Sequence, residues 1–137
     1  MENQVKVDTA SFDGASGAIK AQLFTQDQES KKLALVFPGA GYSCREPLLR
    51  FGIQVLLKKG YQVLALDKIY GDDPNWRSLK SEQEARKIVE NDTVKIFEQI
   101  KTRFSKDPDV LFGRSLGTYA IACLVTRDLT HPKQIVW

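Results

Sequence analysis

The chain opens on two short runs in which apolar and polar residues alternate. Val5 and Val7 lie in the first run, residues 18–24 form the second, and the turn-rich segment 13–17 separates them. Alternation with a period of two is typical of strands that bury one face and expose the other. We therefore expect an antiparallel hairpin at one edge of a sheet.

After the hairpin, continuous apolar runs alternate with segments of helical periodicity. The apolar runs predict buried strands at 33–37, 61–66, 110–112 and 134–137. The periodic segments predict helices from Pro47 to about Gly60, over 81–104 and over about 115–127. Alternating βα units predict a three-layer α/β sandwich with a mostly parallel sheet and helices on both faces.

Particular residues support the ends of these helices. Pro47 suits the first turn of a helix, and Gly60 suits a helix C-terminus. Ser81 and Glu84 have the spacing of a capping box, in which the serine oxygen accepts the Glu84 N–H and the glutamate reaches back to the serine. The sequence therefore predicts a well-defined start for the long helix.

Composition narrows the classes of function. The 137 residues fit a single domain, and with 42% hydrophobic and 27% charged residues we expect the chain to fold. The net charge of +3 comes from scattered residues, which argues against nucleic acid as a partner. No apolar stretch reaches the ~20 residues that span a bilayer. The N-terminal residues carry no secretory signal, so we expect a cytoplasmic protein that binds no membrane.

Few side chains offer redox or metal chemistry. Cys44 and Cys123 are too far apart in the sequence to suggest a disulfide framework, and we interpret them as free thiols. No group of His, Cys, Asp and Glu has the spacing of metal ligands. We therefore expect neither a metal nor another cofactor.

A G-x-S-x-G pattern joins a predicted strand to a predicted helix. It consists of Gly113, Arg114, Ser115, Leu116 and Gly117. A serine on such a tight turn takes strained backbone dihedrals that lift its oxygen clear of the sheet, and the glycines let strand and helix approach without a Cβ collision. The N-terminus of the helix then directs N–H groups toward any oxyanion that forms there. The context favours a nucleophilic serine over an ordinary glycine-lined turn.

A second glycine-rich loop follows the first buried strand. Gly39, Ala40 and Gly41 come at the carboxyl edge of the sheet, where open α/β proteins bind their ligands. With Asp67 at the end of the next strand, this loop also matches most of a dinucleotide-binding fingerprint. Cys44 stands at the third glycine position, however, and two strands precede the unit. A nucleotide-binding domain is therefore the alternative and not the preferred interpretation.

Together, the loop and the serine turn resemble those of the α/β-hydrolase superfamily, in the style of small cytosolic esterases and dienelactone-hydrolase-like proteins. The two-strand opening and the long helix before the serine turn agree with this resemblance, which covers about the whole chain. It implies the fold of that superfamily and hydrolysis of esters or related acyl compounds without a cofactor. By resemblance Ser115 is the nucleophile, the N–H groups of Leu116 and Ala40 are the oxyanion donors, and Gly41 is the less favoured second donor.

The resemblance also implies a pocket for a small, ester-like substrate beside the serine. The residues expected to line it are Gly39, Tyr42, Ser43, Asp67 and Arg114. Many members of the superfamily have His-Gly where this chain has Pro38-Gly39. Since that histidine shapes the loop and transfers no proton, the change is compatible with the same role.

A serine hydrolase of this type needs a histidine base and a carboxylate, in the chain order serine, acid, histidine. The one histidine, His131, precedes the last predicted strand and is expected at the amino edge of the sheet, far from Ser115; the same argument excludes Asp128. We therefore expect this chain to be the N-terminal part of a hydrolase, truncated in its sixth strand and inactive alone. The exposed last strand is expected to pair with a second copy or with the missing C-terminal segment.

Two alternatives to a serine hydrolase remain open from the sequence. One is the nucleotide-binding domain described above, which enhanced, blue-shifted NADH fluorescence would support. The other is a non-catalytic domain of hydrolase fold used for interaction, which the incomplete triad permits. The identity of the substrate is not specified by either glycine-rich segment.

Overall fold

The structure, a computed structural model, describes residues 4–15, 17–26, 32–39, 43–68, 70–74 and 76–137. The strands are β1 Val5–Asp13, β2 Ala18–Gln26, β3 Leu33–Phe37, β4 Gln62–Leu66, β5 Val110–Gly113 and β6 Gln134–Val136. The helices are α1 Pro47–Lys58, α2 Glu82–Phe104 and α3 Gly117–Thr126, with two short 3₁₀ turns at Tyr70–Asp72 and Trp76–Ser78. This element order confirms the predicted α/β class.

All six strands belong to one sheet, in the order β1-β2-β4-β3-β5-β6. β3 is parallel to both β4 and β5, and β5 is parallel to β6. β1 and β2 form the predicted antiparallel hairpin, and β2 is also antiparallel to β4. The prediction of a mostly parallel sheet therefore holds for β3 to β6 and not for the hairpin side.

The helices cover the two faces of this sheet, which gives three layers. Alternate residues of the central strand β3 divide between two apolar clusters, as expected for a strand buried on both sides. Leu33, Leu35 and Phe37 share a cluster with the buried residues of α2 and α3. Ala34 and Val36 pack with the buried residues of α1. None of the helices in the described ranges is long and apolar enough to cross a bilayer.

The connections define a crevice at the carboxyl ends of β3 and β5. From β3 the chain passes through α1 to β4 on one side, and it returns through α2 to β5 on the other side. Phe37 at the end of β3 is in register with Gly113 at the end of β5. Ligands of open α/β sheets bind where strand order reverses in this way. The two glycine-rich segments of the sequence therefore flank the expected ligand position.

Residues at the helix ends account for where the helices begin. The Ser81 side chain accepts the Glu84 N–H at 3.2 Å, as the capping-box spacing predicts. The Glu84 carboxylate accepts the N–H of Lys80 at 2.9 Å, one residue before the expected partner. α3 begins at Gly117, two residues later than predicted, because Ser115 has a φ of 55° that no α-helix contains.

Candidate active site

Ser115 occupies a sharp turn between β5 and α3. Its φ of 55° is in the left-handed region, and the residue is exposed. A Cβ on Gly117 would lie 2.5 Å from the carbonyl oxygen of Phe37, and a Cβ on Gly113 would lie 2.9 Å from Ile121 Cδ1. The backbone contact leaves no room for a side chain at Gly117, whereas the contact at Gly113 is with the end of a flexible side chain. A strained, exposed serine on a tight strand-to-helix turn is the geometry expected of a nucleophile elbow, and this turn is called the elbow below.

The start of α3 leaves one backbone donor near the serine. The N–H of Gly117 donates to Arg114 O at 2.9 Å, and the N–H of Thr118 donates to Ser115 O at 2.9 Å. The Thr118 hydroxyl also donates to Ser115 O, at 2.6 Å. In the part of the chain that the structure describes, the N–H of Leu116 has no acceptor. This N–H is the donor that the family resemblance implies for an oxyanion.

The loop after β3 approaches the elbow from the neighbouring strand. Phe37, Pro38 and Gly39 are buried, and Phe37 contacts the elbow where Gly117 lacks a side chain. The predicted second donor, Ala40, and its alternative Gly41 lie outside the described residues, as does the pocket residue Tyr42.

The loop resumes at Ser43, which is half-buried. The Ser43 hydroxyl accepts the N–H of Arg45 at 3.2 Å, a local contact within the turn that leads into α1. The next side chain, Cys44, donates from its thiol to the carbonyl of Leu66 at 3.3 Å. Burial, with a further contribution from Asp67, raises the pKa of this thiol to about 12. Cys44 is therefore a neutral packing residue at neutral pH and has little nucleophilic character.

Asp67 and Arg114 lie at the same edge of the sheet as the elbow. Asp67 directly follows β4, is exposed, and donates its N–H to Lys20 O at 2.8 Å. Arg114 has an exposed side chain immediately before Ser115. The fold thus brings both predicted pocket residues to the carboxyl edge, with Asp67 one strand farther from the serine because β3 lies between β4 and β5.

A small, partly open cavity lies between the elbow and α2. It is bounded by Pro38 after β3, Lys68 after β4, Asp92 and Ile96 on α2, and Leu116 of the elbow. The cavity has a volume of about 20 Å³, which is room for one water molecule. Residues after the ends of two strands, one helix and the serine turn therefore border a small space close to the candidate nucleophile.

The most unusual group in the cavity wall is the Asp92 carboxylate, which is only 2% exposed. It accepts the hydroxyl of Tyr70 at 2.7 Å and the N–H of Ala15 at 2.8 Å. Burial, followed by the interactions with Asp92, raises the pKa of Tyr70, so the phenol remains a hydrogen-bond donor. Asp92 is not among the residues that the sequence predicts for the site. The available signal was the position of Asp92 within the apolar stripe of α2, between Val89 and Ile96.

His131 lies at the opposite edge of the sheet from the elbow. The N–H groups of Lys133 and Gln134 both donate to Asp109 O, at the amino end of β5. β5 is about 13 Å long at ~3.3 Å per residue, and Ser115 follows its other end. The exposed His131 side chain contacts Asp128, with 3.1 Å between Nε2 and Oδ1. His131 thus lies two residues from a contact with the amino end of β5, whereas Ser115 follows the carboxyl end of that strand.

Several solved structures with a similar architecture are hydrolases. No protein-family model matches the sequence, and neither does any curated protein. An esterase from an Arctic intertidal metagenomic library has a TM-score of 0.69 at 14% identity, over 93% of this chain and 60% of its own. Dienelactone hydrolase from Anabaena variabilis has a TM-score of 0.64 at 20% identity, over 93% of this chain and 60% of its own. A serine hydrolase without a lid from Xanthomonas campestris has a TM-score of 0.68 at 15% identity, over 95% of this chain and 59% of its own.

These similarities concern the fold, and they extend over only part of each solved structure. The chain spans about 60% of the length of the esterase and of dienelactone hydrolase. On this chain they cover more than nine-tenths of the residues. Over most of its length, this chain has the α/β-hydrolase fold.

Proposed function

We propose that this chain is the N-terminal part of a serine hydrolase that cleaves small carboxylic esters or related acyl compounds through an acyl-Ser115 intermediate. The observation that carries the proposal is the elbow, where a strained, exposed serine is paired with a backbone N–H that has no acceptor among the described residues. A serine that only capped a helix would adopt ordinary backbone dihedrals and would not require the close glycine contacts seen at this turn.

The reaction follows from the position of these groups. The Ser115 oxygen attacks the carbonyl carbon while its proton passes to a general base, and the carbonyl oxygen becomes an oxyanion. The Leu116 N–H stabilises that charge, with a second donor from the loop after Gly39. The intermediate collapses to an acyl-serine and releases an alcohol, which takes the proton from the base. Water then attacks the acyl-serine, regenerates the Ser115 hydroxyl and releases a carboxylic acid.

We propose that the base and the acid that orients it come from a segment that follows Trp137. This is supported by the position of His131 at the amino edge of the sheet, away from Ser115. Residues 1–137 alone are then expected to hydrolyse esters only slowly, because an unassisted serine hydroxyl is a poor nucleophile. A cytoplasmic location remains part of this proposal and rests on the sequence.

The dinucleotide-binding alternative is less well supported by the arrangement of strands. A dinucleotide fold places a third parallel strand beside β4, whereas here the antiparallel β2 pairs with it. Cys44, at the third glycine position of the fingerprint, has its thiol turned to Leu66 O instead of leaving space for a helix close to a pyrophosphate. We therefore place the hydrolase first.

Hydrolysis of 4-nitrophenyl acetate tests the proposed function. The enzyme assayed is the longest natural polypeptide that contains this chain. Ser115→Ala should lower kcat/KM by roughly a thousandfold, since it removes the nucleophile. The matched control Ser11→Ala changes an exposed serine on β1 and should leave kcat/KM unchanged. Full activity of the Ser115→Ala variant would exclude the mechanism.

A further inference from the structure

Two residues that follow β4 form part of the wall of the cavity beside the elbow. Lys68 and Tyr70 contribute to this wall, and the Tyr70 ring packs against Trp76 with 5.2 Å between centroids. The hydroxyl of Tyr70 donates to the buried Asp92 at 2.7 Å. One hydrogen bond to α2 thus holds the Tyr70 side chain in the cavity wall.

The polar groups around the cavity are engaged with protein partners. Asp92 accepts one hydrogen bond on each carboxylate oxygen, from Ala15 and Tyr70. The Thr93 hydroxyl donates to Val89 O at 2.6 Å. Lys68 lies 4.0 Å from the Asp73 carboxylate and over the face of the Tyr70 ring. The interior is therefore left to apolar side chains, and the adjacent carboxylate disfavours an anionic ligand.

The position of the cavity indicates which part of an ester would occupy it. Pro38 and Leu116 bound it, so it lies beside the proposed oxyanion position. The alcohol of an ester must leave and be replaced by water, which requires a wide path. The acyl group remains attached to the serine between the two steps and can occupy a narrow space such as this one of about 20 Å³.

We infer that this cavity is the acyl subsite of the proposed hydrolase, that it accepts short, neutral acyl groups, and that the Tyr70–Asp92 hydrogen bond limits their length. Tyr70 is a specificity-determining residue in this account, and Asp92 positions it. The inference rests on the proposed function for its assignment to the acyl group. The available volume of about 20 Å³ accepts only the smallest groups, so a longer chain enters only after the Tyr70–Asp92 bond breaks.

Binding of methyl esters to the chain of 137 residues tests this inference without any serine chemistry. The Ser115→Ala variant is labelled at its methyl groups and titrated with methyl acetate and then with methyl hexanoate, while NMR follows Ile19, Val89 and Ile96 in the cavity wall. Methyl acetate should shift these resonances at lower concentrations than methyl hexanoate. Adding Tyr70→Phe should strengthen binding of methyl hexanoate by about fivefold, the ratio that corresponds to one net hydrogen bond, with methyl acetate unchanged.

Two further variants keep the test decisive. Tyr61→Phe changes a half-buried tyrosine in the cluster on the opposite face of the sheet and should leave both affinities unchanged. Ile96→Ala enlarges the cavity with the hydrogen bond intact and should strengthen binding of methyl hexanoate even if Tyr70→Phe does not fold. Equal binding of both esters to the Ser115→Ala chain, no shift at the cavity methyls, or no effect of either Tyr70→Phe or Ile96→Ala would overturn the inference.

The outcomes separate this inference from the proposed function. If methyl acetate binds selectively at the cavity methyls but the longer polypeptide hydrolyses no ester, the cavity is a binding site with a length limit and is not an acyl subsite. If hydrolysis depends on Ser115 but no ester binds at these methyls, the proposed function stands and the acyl group binds elsewhere.

Discussion

Ser115 has a backbone conformation that its surroundings must hold in place. A left-handed conformation costs a non-glycine residue about 1–2 kcal/mol. Among the described residues, Ser105 and Asp128 also have positive φ, but both follow the C-termini of helices, where such residues are common. Ser115 has it at the start of a helix, next to the glycine pair. Strain at this position is typical of a functional serine.

Substitution of Ser115 measures this strain directly. Ser115→Gly should be more stable than Ser115→Ala by about 1 kcal/mol, because glycine adopts the left-handed region without a Cβ penalty. The free energy of unfolding in urea gives the comparison. The same pair at Ser11, within the extended strand β1, should give the opposite order. An alanine variant as stable as the glycine variant at position 115 would show that the turn is unstrained.

The residues of the elbow could be predicted from the sequence, whereas the cavity beside it could not. The spacing of Gly113 and Gly117 around Ser115 is local, and the close contacts of both glycines agree with it. The Tyr70–Asp92 pair joins residues 22 positions apart, across a connection whose path is set by tertiary packing. A charged residue in the apolar stripe of α2 indicates a buried partner but does not identify it.

At the scale of elements, the periodicity of the sequence predicts each strand and helix, and the structure differs mainly at their ends. The helix predicted over about 115–127 is observed as Gly117–Thr126, since the elbow and the cap take its outer residues. The strand predicted over 61–66 begins at Gln62 because Tyr61 still closes the turn after α1, with its N–H donated to Leu56 O. Such ends depend on single hydrogen bonds that a periodic pattern does not contain.

Asp109 joins the amino ends of three parallel strands. Its carboxylate accepts the Leu33 N–H at 2.9 Å and contacts Lys106 at 2.8 Å, and its carbonyl accepts the N–H of Lys133. Burial alone would raise the pKa of Asp109, but the hydrogen bonds from Lys106 and Leu33, with the charges of Lys106 and Lys133, together lower it. The ionised carboxylate therefore stabilises the folded state.

Asp109→Asn should lower the free energy of unfolding at pH 7 by about 1.5–3 kcal/mol, the range for a hydrogen bond to a charged group. Since the pKa in the folded state is lowered, the stabilisation is complete above the ordinary value of 3.8 and is lost as pH falls through the folded pKa. The difference between the two proteins should therefore shrink toward pH 3. Urea unfolding at both pH values measures it, and a difference independent of pH would contradict the account.

Asp107→Asn is the matched control for this experiment. Asp107 lies 3.4 Å from Lys101 in an ion pair whose two side chains are each nearly half exposed. Exposed ion pairs contribute little to stability, so this variant should unfold like the unsubstituted chain at pH 7.

At the scale of the whole molecule, the sheet ends in β6, whose outer edge has no partner strand in the described part of the chain. The two apolar strand residues Ile135 and Val136 are each 36% exposed, and the adjacent Trp137 is 68% exposed. Unpaired edges with apolar side chains recruit other chains. We propose that this edge pairs with a second copy when the chain of 137 residues is studied alone.

Sedimentation equilibrium measures this association. The apparent mass of the chain should rise with concentration, and Val136→Lys should reduce the rise because it places a charge on the unpaired edge. Val125→Lys places the same charge on an exposed apolar residue of α3, away from the strand edges, and should have no effect. A monomer at every concentration would rule out this association.

The central claim is that Ser115 becomes a nucleophile once a base is supplied. A fluorophosphonate tests it most directly, since the serine oxygen displaces fluoride and the adduct survives mass spectrometry of the digested protein. In the longest natural polypeptide that contains this chain, the account predicts one adduct on the peptide with Ser115, none after Ser115→Ala, and labelling at least about a hundredfold slower in residues 1–137 alone. An adduct at another serine, or no adduct in the longer polypeptide, would contradict it.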